Sequence, residues 1–138
     1  MIITRDALVE EHACSDGLEF FDTHFPGGEG TQEAVFEAIE KYAPTKDWQA
    51  WLASNLGLTA TCRRWYSDGK PHVDETYVEG KHHGLRRTWW SDGTLRVDET
   101  YVEGKRHGLR RTWHSDGTPR EATWDHGVRI SSVYGGSR

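Results

Sequence analysis

The chain has 138 residues, about one domain's worth, and its 35% apolar and 12% aromatic content with seven tryptophans excludes a disordered chain. No run approaches the roughly 18 apolar residues of a membrane span, and no basic region followed by an apolar one opens the sequence, so a soluble cytoplasmic protein without a membrane span is expected. The formal charge of -5 is unevenly divided: residues 1–57 carry three basic side chains (Arg5, Lys41, Lys46) against eleven acidic ones, a balance of -8, which leaves +3 for residues 58–138 and argues against general affinity for nucleic acid.

Helix start signals recur through residues 1–57. Thr4, Ser15, Thr31 and Thr45 each precede a run with apolar residues three and four apart, and each hydroxyl can accept a free backbone N–H. Pro26-Gly27-Gly28, Ala43-Pro44 and Gly57 supply the stops. Val35, Phe36 and Ile39, then Trp48, Trp51 and Leu52, form stripes that read as core. Four short helices of this size scarcely close a core of their own, so this half reads as an acidic cap that packs on the second half of the chain. Cys14 and Cys62, the only two cysteines, offer neither a disulfide framework nor a paired-cysteine metal motif.

Residues 58–134 contain a tandem repeat of 24 residues. Ser67–Trp90 and Ser91–His114 are identical at 19 of 24 positions, and a third copy starting at Ser115 has lost one residue. In each copy Ser-Asp-Gly lies between runs rich in Thr, Val, Tyr and Trp, and a second turn comes at Glu-Gly, so each repeat should add two antiparallel strands to a meander of about seven. A two-residue turn at Asp92-Gly93 would set Arg87 opposite Asp98, Arg86 opposite Glu99, Trp89 opposite Arg96 and Trp90 opposite Leu95; a bulged three-residue turn would slip this pairing by one. The fold class expected is α+β: a helical cap over residues 1–57, a single-layer β-meander over residues 58–134 and a flexible tail over residues 135–138.

Tyr77-Val78-Glu79-Gly80-Lys81-His82-His83-Gly84, then Trp89-Trp90 before Ser91-Asp92-Gly93, repeated from Tyr101 to Gly117, resemble the MORN-repeat variant of bacterial antitoxin-like proteins across about residues 60–130. That resemblance implies a curved sheet of hairpins and a non-catalytic binding role. The leading half resembles, more faintly, a helical segment ending in Trp-x-x-Trp-Leu found in uncharacterised bacterial and phage proteins. Pro71 stands where the second copy has Leu95, and the last copy lacks the second glycine, with Ile130 and Ser131 in that region.

No Gly-x-Ser-x-Gly, His-Glu-x-x-His or phosphate-loop pattern occurs, so no enzyme, cofactor or metal is expected. Repeat-related His83 and His107 could approach a third imidazole and hold zinc, as a metal-dependent hydrolase would need; solvated turn histidines, including His82, His114 and His126, are the plainer expectation. The arginine pairs Arg63-Arg64, Arg86-Arg87 and Arg110-Arg111 face acidic pairs and split between opposite faces of their strands. Trp65, Trp89 and Trp113 form one aromatic column, and Tyr66, Trp90 and His114 form another on the opposite face. A sheet with its cap on one face should bury one column and leave the other as an exposed stripe of the kind found at interaction hot spots. Trp65, Trp89, Trp113, Arg87 and Arg111 are therefore the expected contacts to another protein, with Tyr77 and Tyr101 as framework. The expected function is an antitoxin-like, immunity-like or phage-borne inhibitor. The alternatives are an anionic-lipid or nucleic-acid adaptor using the arginines, an acidic cap imitating nucleic acid, and a dimer formed through the sheet.

Overall fold

A computed structural model describes residues 1–134, with side chains described through Ser131; the expected tail at 135–138 lies outside the described residues. The fold is α+β, with four helices and an eight-stranded antiparallel sheet. Among the described residues no helix is long and apolar enough to cross a membrane.

Helices α1 (Arg5–Glu10) and α3 (Gln32–Tyr42) start where the hydroxyls indicate, with Thr4 Oγ1 accepting the Ala7 N–H at 3.2 Å and Thr31 Oγ1 accepting the Ala34 N–H at 3.1 Å. Two starts differ from expectation. Helix α2 (Ser15–His24) is capped by Cys14, whose Sγ takes the Gly17 N–H at 3.4 Å, so Ser15 is already inside the helix. Helix α4 (Trp48–Leu56) begins after Asp47 with no side-chain cap, and ends on Gly57 in the left-handed region, φ 68°. A ribbon of β1 (Ile2–Thr4) and β2 (Glu29–Thr31), not expected from the sequence, ties the start of the chain to the start of α3. Ile3, Leu8, Phe21, Val35, Ile39, Leu52, Ala53 and Leu58 form the core of this half, joined by Cys62 and Tyr77 from the sheet.

The sheet comprises β3 (Ala60–Trp65), β4 (Pro71–Val78), β5 (Lys81–Trp89), β6 (Leu95–Val102), β7 (Lys105–Arg106), β8 (Gly108–Trp113), β9 (Pro119–Asp125) and β10 (Val128–Tyr134). It runs as a meander from β3 to β10; β7 and β8 are successive pieces of one strand path, broken at His107. The Glu-Gly turns are tight two-residue turns with both residues at positive φ, such as Glu79 at 49° and Gly80 at 81°, a twist that suits a hairpin. At the other end Ser91-Asp92-Gly93 is a three-residue loop: the Gly93 N–H donates to Trp90 O at 3.0 Å and the Trp90 N–H to Thr94 O at 2.8 Å.

That longer loop corrects part of the expected register. Trp89 pairs with Leu95, and Arg96 is the extra residue of a bulge beyond which Thr88 meets Val97, Arg87 meets Asp98 and Arg86 meets Glu99. The bulge undoes the one-residue slip of the loop. His72 plays the same part between β3 and β4. Between β8 and β9 the register runs without a shift from Leu109↔Thr123 to Trp113↔Pro119, so the residue that the third copy has lost is the bulge residue.

The copies are locked to one another by bonds that also repeat. The second-turn glycines Gly80, Gly104 and Gly127 donate their N–H to Leu58 O, His82 O and Arg106 O at 3.0, 2.8 and 2.7 Å. The residue before each glycine donates to the preceding copy's side chain, Glu79 to Thr59 Oγ1, Glu103 to His83 Nδ1 and His126 to His107 Nδ1. At the opposite ends of the strands Tyr66 Oη donates to Trp89 O at 2.6 Å and Trp90 Nε1 to Trp113 O at 3.1 Å.

The cap covers one face of the sheet only at its β3–β4 end, over Cys62 and Tyr77. It closes the free edge of β3: the Arg63 N–H donates to Gln49 Oε1 at 2.7 Å, the Trp65 N–H to Pro44 O at 2.8 Å, and Arg64 Nε to Thr45 O at 2.7 Å. From there its apolar core reaches over Cys62 and Tyr77, and Val97, further along the sheet, is buried outside that core.

Candidate functional site

Strand alternation places Trp65, Trp89, Trp113, Arg87 and Arg111 on one face, together with Arg63, Leu85 and Leu109. Each arginine here is matched to an acid across a strand pair: Arg63–Asp74 at 3.6 Å, Arg87–Asp98 at 3.8 Å and Arg111–Glu121 at 3.0 Å. These are partly exposed pairs whose main effect is to cancel charge rather than to stabilise the fold.

The expected contrast between a buried and an exposed aromatic column is not found. Trp65, Trp89 and Trp113 are half-buried, and so are Tyr66 and Trp90, while His114 is exposed. Each Trp of the first column has an apolar residue across the strand, Pro71, Leu95 or Pro119. In the second column the bulge residues act as lids: His72 stacks on Tyr66 at 4.1 Å between ring centres, and the Arg96 guanidinium lies 4.8 Å from the Trp90 ring centre. The third copy has no bulge residue, and its His114 is left exposed. The openly exposed apolar side chains on the tryptophan face are aliphatic and include Val78 at 39%, Leu85 at 43%, Leu109 at 44% and, on the last strand, Val128 at 64%.

The opposite face carries a buried polar ladder. Glu75 lies 3.7 Å from Arg86, Arg86 lies 2.8 Å from Glu99, and Glu99, 1% exposed, is also bonded to Arg106 at 3.1 Å and Arg110 at 2.9 Å. Burial pushes the Glu99 carboxyl up, but the hydrogen bonds from Arg86 and Arg110 outweigh it and hold the group below the usual carboxylate range. The third copy has Ala122 opposite Arg110, which ends the ladder. His82, expected in a solvated turn, instead lies half-buried between Tyr77 and Tyr101, with ring centres 4.4 and 4.9 Å away. Its Nε2 is 3.3 Å from Tyr77 Oη, its Nδ1 is buried without a hydrogen bond, and burial lowers its pKa. Tyr77 and Tyr101 thus serve as framework on this second face. Burial pushes the neighbouring Cys62 thiol up to about 12, so it is held as an unreactive thiol.

Two further places were not anticipated. An apolar cavity of about 210 Å³ opens between the cap helices, lined by Phe20, Phe21, Trp48 and Trp51 among others. His107, expected as a solvated turn histidine, comes together with Asp125 and His126 at the last turn, its ring centre 4.4 Å from that of His126. The signal in the sequence was present: Leu85 and Leu109 recur at the repeat spacing, and Asp125-His126 replaces the Val-Glu of the other copies. In the cap all eleven acidic side chains are exposed, as solvated helix faces require.

No protein-family model matches the chain, and no curated protein matches it.

Proposed function

We propose that the chain is a non-enzymatic protein-binding module, of the antitoxin, immunity-protein or phage-inhibitor kind, that neutralises or scaffolds another protein through the face carrying Trp65, Trp89, Trp113, Arg87 and Arg111. The observation that carries this reading is the pairing of Arg63, Arg87 and Arg111 with acids of their own face, which leaves exposed Leu85 and Leu109 beside half-buried tryptophans. A neutral surface with aliphatic and aromatic content suits a protein with an apolar patch. It is poorly suited to phosphates, because a guanidinium already matched to a carboxylate releases no counterion on meeting one. The resemblance of the repeats to MORN sequences supports the same non-catalytic role.

The test is affinity capture from cells of the source organism, followed by titration of the purified partner at 50 and 200 mM salt. Leu85→Asp with Leu109→Asp, both at exposed positions, should abolish binding, and salt should change the wild-type affinity by less than about 10-fold. A fall of roughly a thousand-fold or more over that range is the behaviour of an adaptor for nucleic acid or anionic lipid and would displace this reading. Loss of binding on Glu33→Lys with Glu37→Lys, with the leucine variant unaffected, would move the active surface to the acidic cap.

A further inference from the structure

The last hairpin departs from the repeat at two adjacent positions, the last strand residue and the first turn residue. Where the internal hairpins read Val78-Glu79 and Val102-Glu103, the hairpin between β9 and β10 reads Asp125-His126. Each turn docks on one residue of the copy before it: Thr59, then His83, then His107. The change therefore delivers a carboxylate and a second imidazole against His107, whereas the equivalent positions in the preceding copy are Val102 and Glu103, with the Glu103 N–H bonded to His83 Nδ1. Asp125 Oδ1 lies 2.6 Å from His126 Nδ1 and 3.6 Å from His107 Nδ1, and the ligand atoms of all three residues fall within 4.8 Å of one another.

We propose that His107, Asp125 and His126 form a binding site for one divalent transition-metal ion of the zinc class. Two imidazoles and one carboxylate are the donor set of such ions; calcium and magnesium prefer oxygen alone. Tetrahedral ligands about 2.0–2.1 Å from zinc lie roughly 3.3 Å apart, so the 2.6 and 3.6 Å separations need adjustments of under about 1 Å and the third, which lies within 4.8 Å, one of up to about 1.5 Å. His107 belongs to the break between β7 and β8, and the other two ligands belong to a hairpin turn bonded to it through the Gly127 N–H and Arg106 O at 2.7 Å. The ion would take the lone pair of His107 Nδ1 that now accepts the His126 N–H at 3.2 Å. That N–H belongs to an exposed turn residue, where water can replace the lost acceptor. Three protein ligands leave one tetrahedral position for water. The bound ion would clip the terminal hairpin to the copy before it, at the end of the sheet farthest from the cap.

Calorimetric titration of Zn²⁺ into the chelator-treated full chain tests the site, with Co²⁺ absorption as a second readout. One ion should bind per chain. His126→Asn, chosen because asparagine tolerates the positive φ of 45° at this position, should weaken binding by more than the ~10–100-fold that loss of an outer-shell partner costs, and Asp125→Asn should do the same. His83→Asn should bind as the wild type does, and Co²⁺ should give visible ligand-field bands with wild type and His83→Asn but not with His126→Asn. If a metal-free variant differs from wild type by circular dichroism, His107→Gln takes its place. Binding below one ion per chain, equal loss in His83→Asn, or unchanged affinity in His126→Asn or its replacement would each overturn the proposal.

Discussion

Phe21 in the cap and Glu99 in the sheet are almost equally hidden, at 2% and 1% exposed, yet one is buried in a cluster of aliphatic and aromatic side chains and the other beneath Arg86, Arg106 and Arg110. The cap is a small apolar core closed by helices. The sheet, a single layer, has no second layer to supply apolar cover beyond the cap, so its inner side chains cover one another with paired charges. The difference matters because apolar burial is non-directional and tolerates rearrangement, whereas each buried charge is stable only while its partners stay in place. The repeat suits the second arrangement, since a fixed period returns each guanidinium to its carboxylate without further information.

The comparison can be broken most forcefully in the cap. Phe21→Ala should cost about 3–5 kcal/mol in urea unfolding, and a loss below about 1 kcal/mol would mean that this half lacks a true core. Next, Glu99→Gln should cost about 3 kcal/mol by the same measurement, because three guanidinium groups would lose a buried counter-charge. An unchanged midpoint would show that the ladder is ornamental to stability.

The junction of the two regions has an internal control. Gly80 and Gly104 occupy the same turn position with φ of 81° and 83°, but a Cβ on Gly80 would sit 2.9 Å from Gly57 Cα in the cap, whereas one on Gly104 would meet only Lys81 Cβ at 3.8 Å. Both alanine variants carry the left-handed penalty of about 1–2 kcal/mol, and Gly80→Ala should lose a further ~1–3 kcal/mol from crowding. Equal losses in thermal or urea unfolding would mean that the cap yields at no cost.

The smallest effect expected is a pH dependence confined to the sheet. His82 is packed between Tyr77 and Tyr101; burial lowers its pKa, Glu75 and Glu99 pull it upward, and Arg86 opposes them. Because its folded pKa lies below the unfolded value of about 6.5, the unfolded chain takes up the proton first. Stability is therefore fully present above that value and falls as pH drops below it. Melting temperatures recorded from pH 7.5 to 5 should decline, and His82→Gln should flatten the decline; an identical profile in the variant would assign the effect elsewhere.

Much of the sheet was legible because duplication copies the information that specifies it. The turn residues and the meander could be read from the 24-residue spacing, and the pairing of Arg86 with Glu99 and Arg87 with Asp98 holds although the two-residue turn it was reasoned from does not form. Trp89 and Arg96 could not be placed, because the loop is longer by one residue and the bulge takes it back, two local events that leave the distant register unchanged. The helix starts at Thr4 and Thr31 were visible as local chemistry. The start at Cys14 was not, since a thiol is a weak acceptor and Ser15 beside it the better one.

The sequence by itself determined the repeat, its two kinds of turn, the separation of each arginine pair onto opposite faces, and the acidic surface of the cap. These arise from backbone alternation and turn stereochemistry, which act over a few residues. Tertiary structure alone decided that the cap closes the β3 edge, that both aromatic columns end half-buried save for the exposed His114, that Glu99 collects three guanidinium groups, and that Asp125 and His126 meet His107. Each depends on which surfaces meet across copies or between the halves, and that choice is settled by satisfying edge N–H groups and buried charges together, over distances no local pattern encodes.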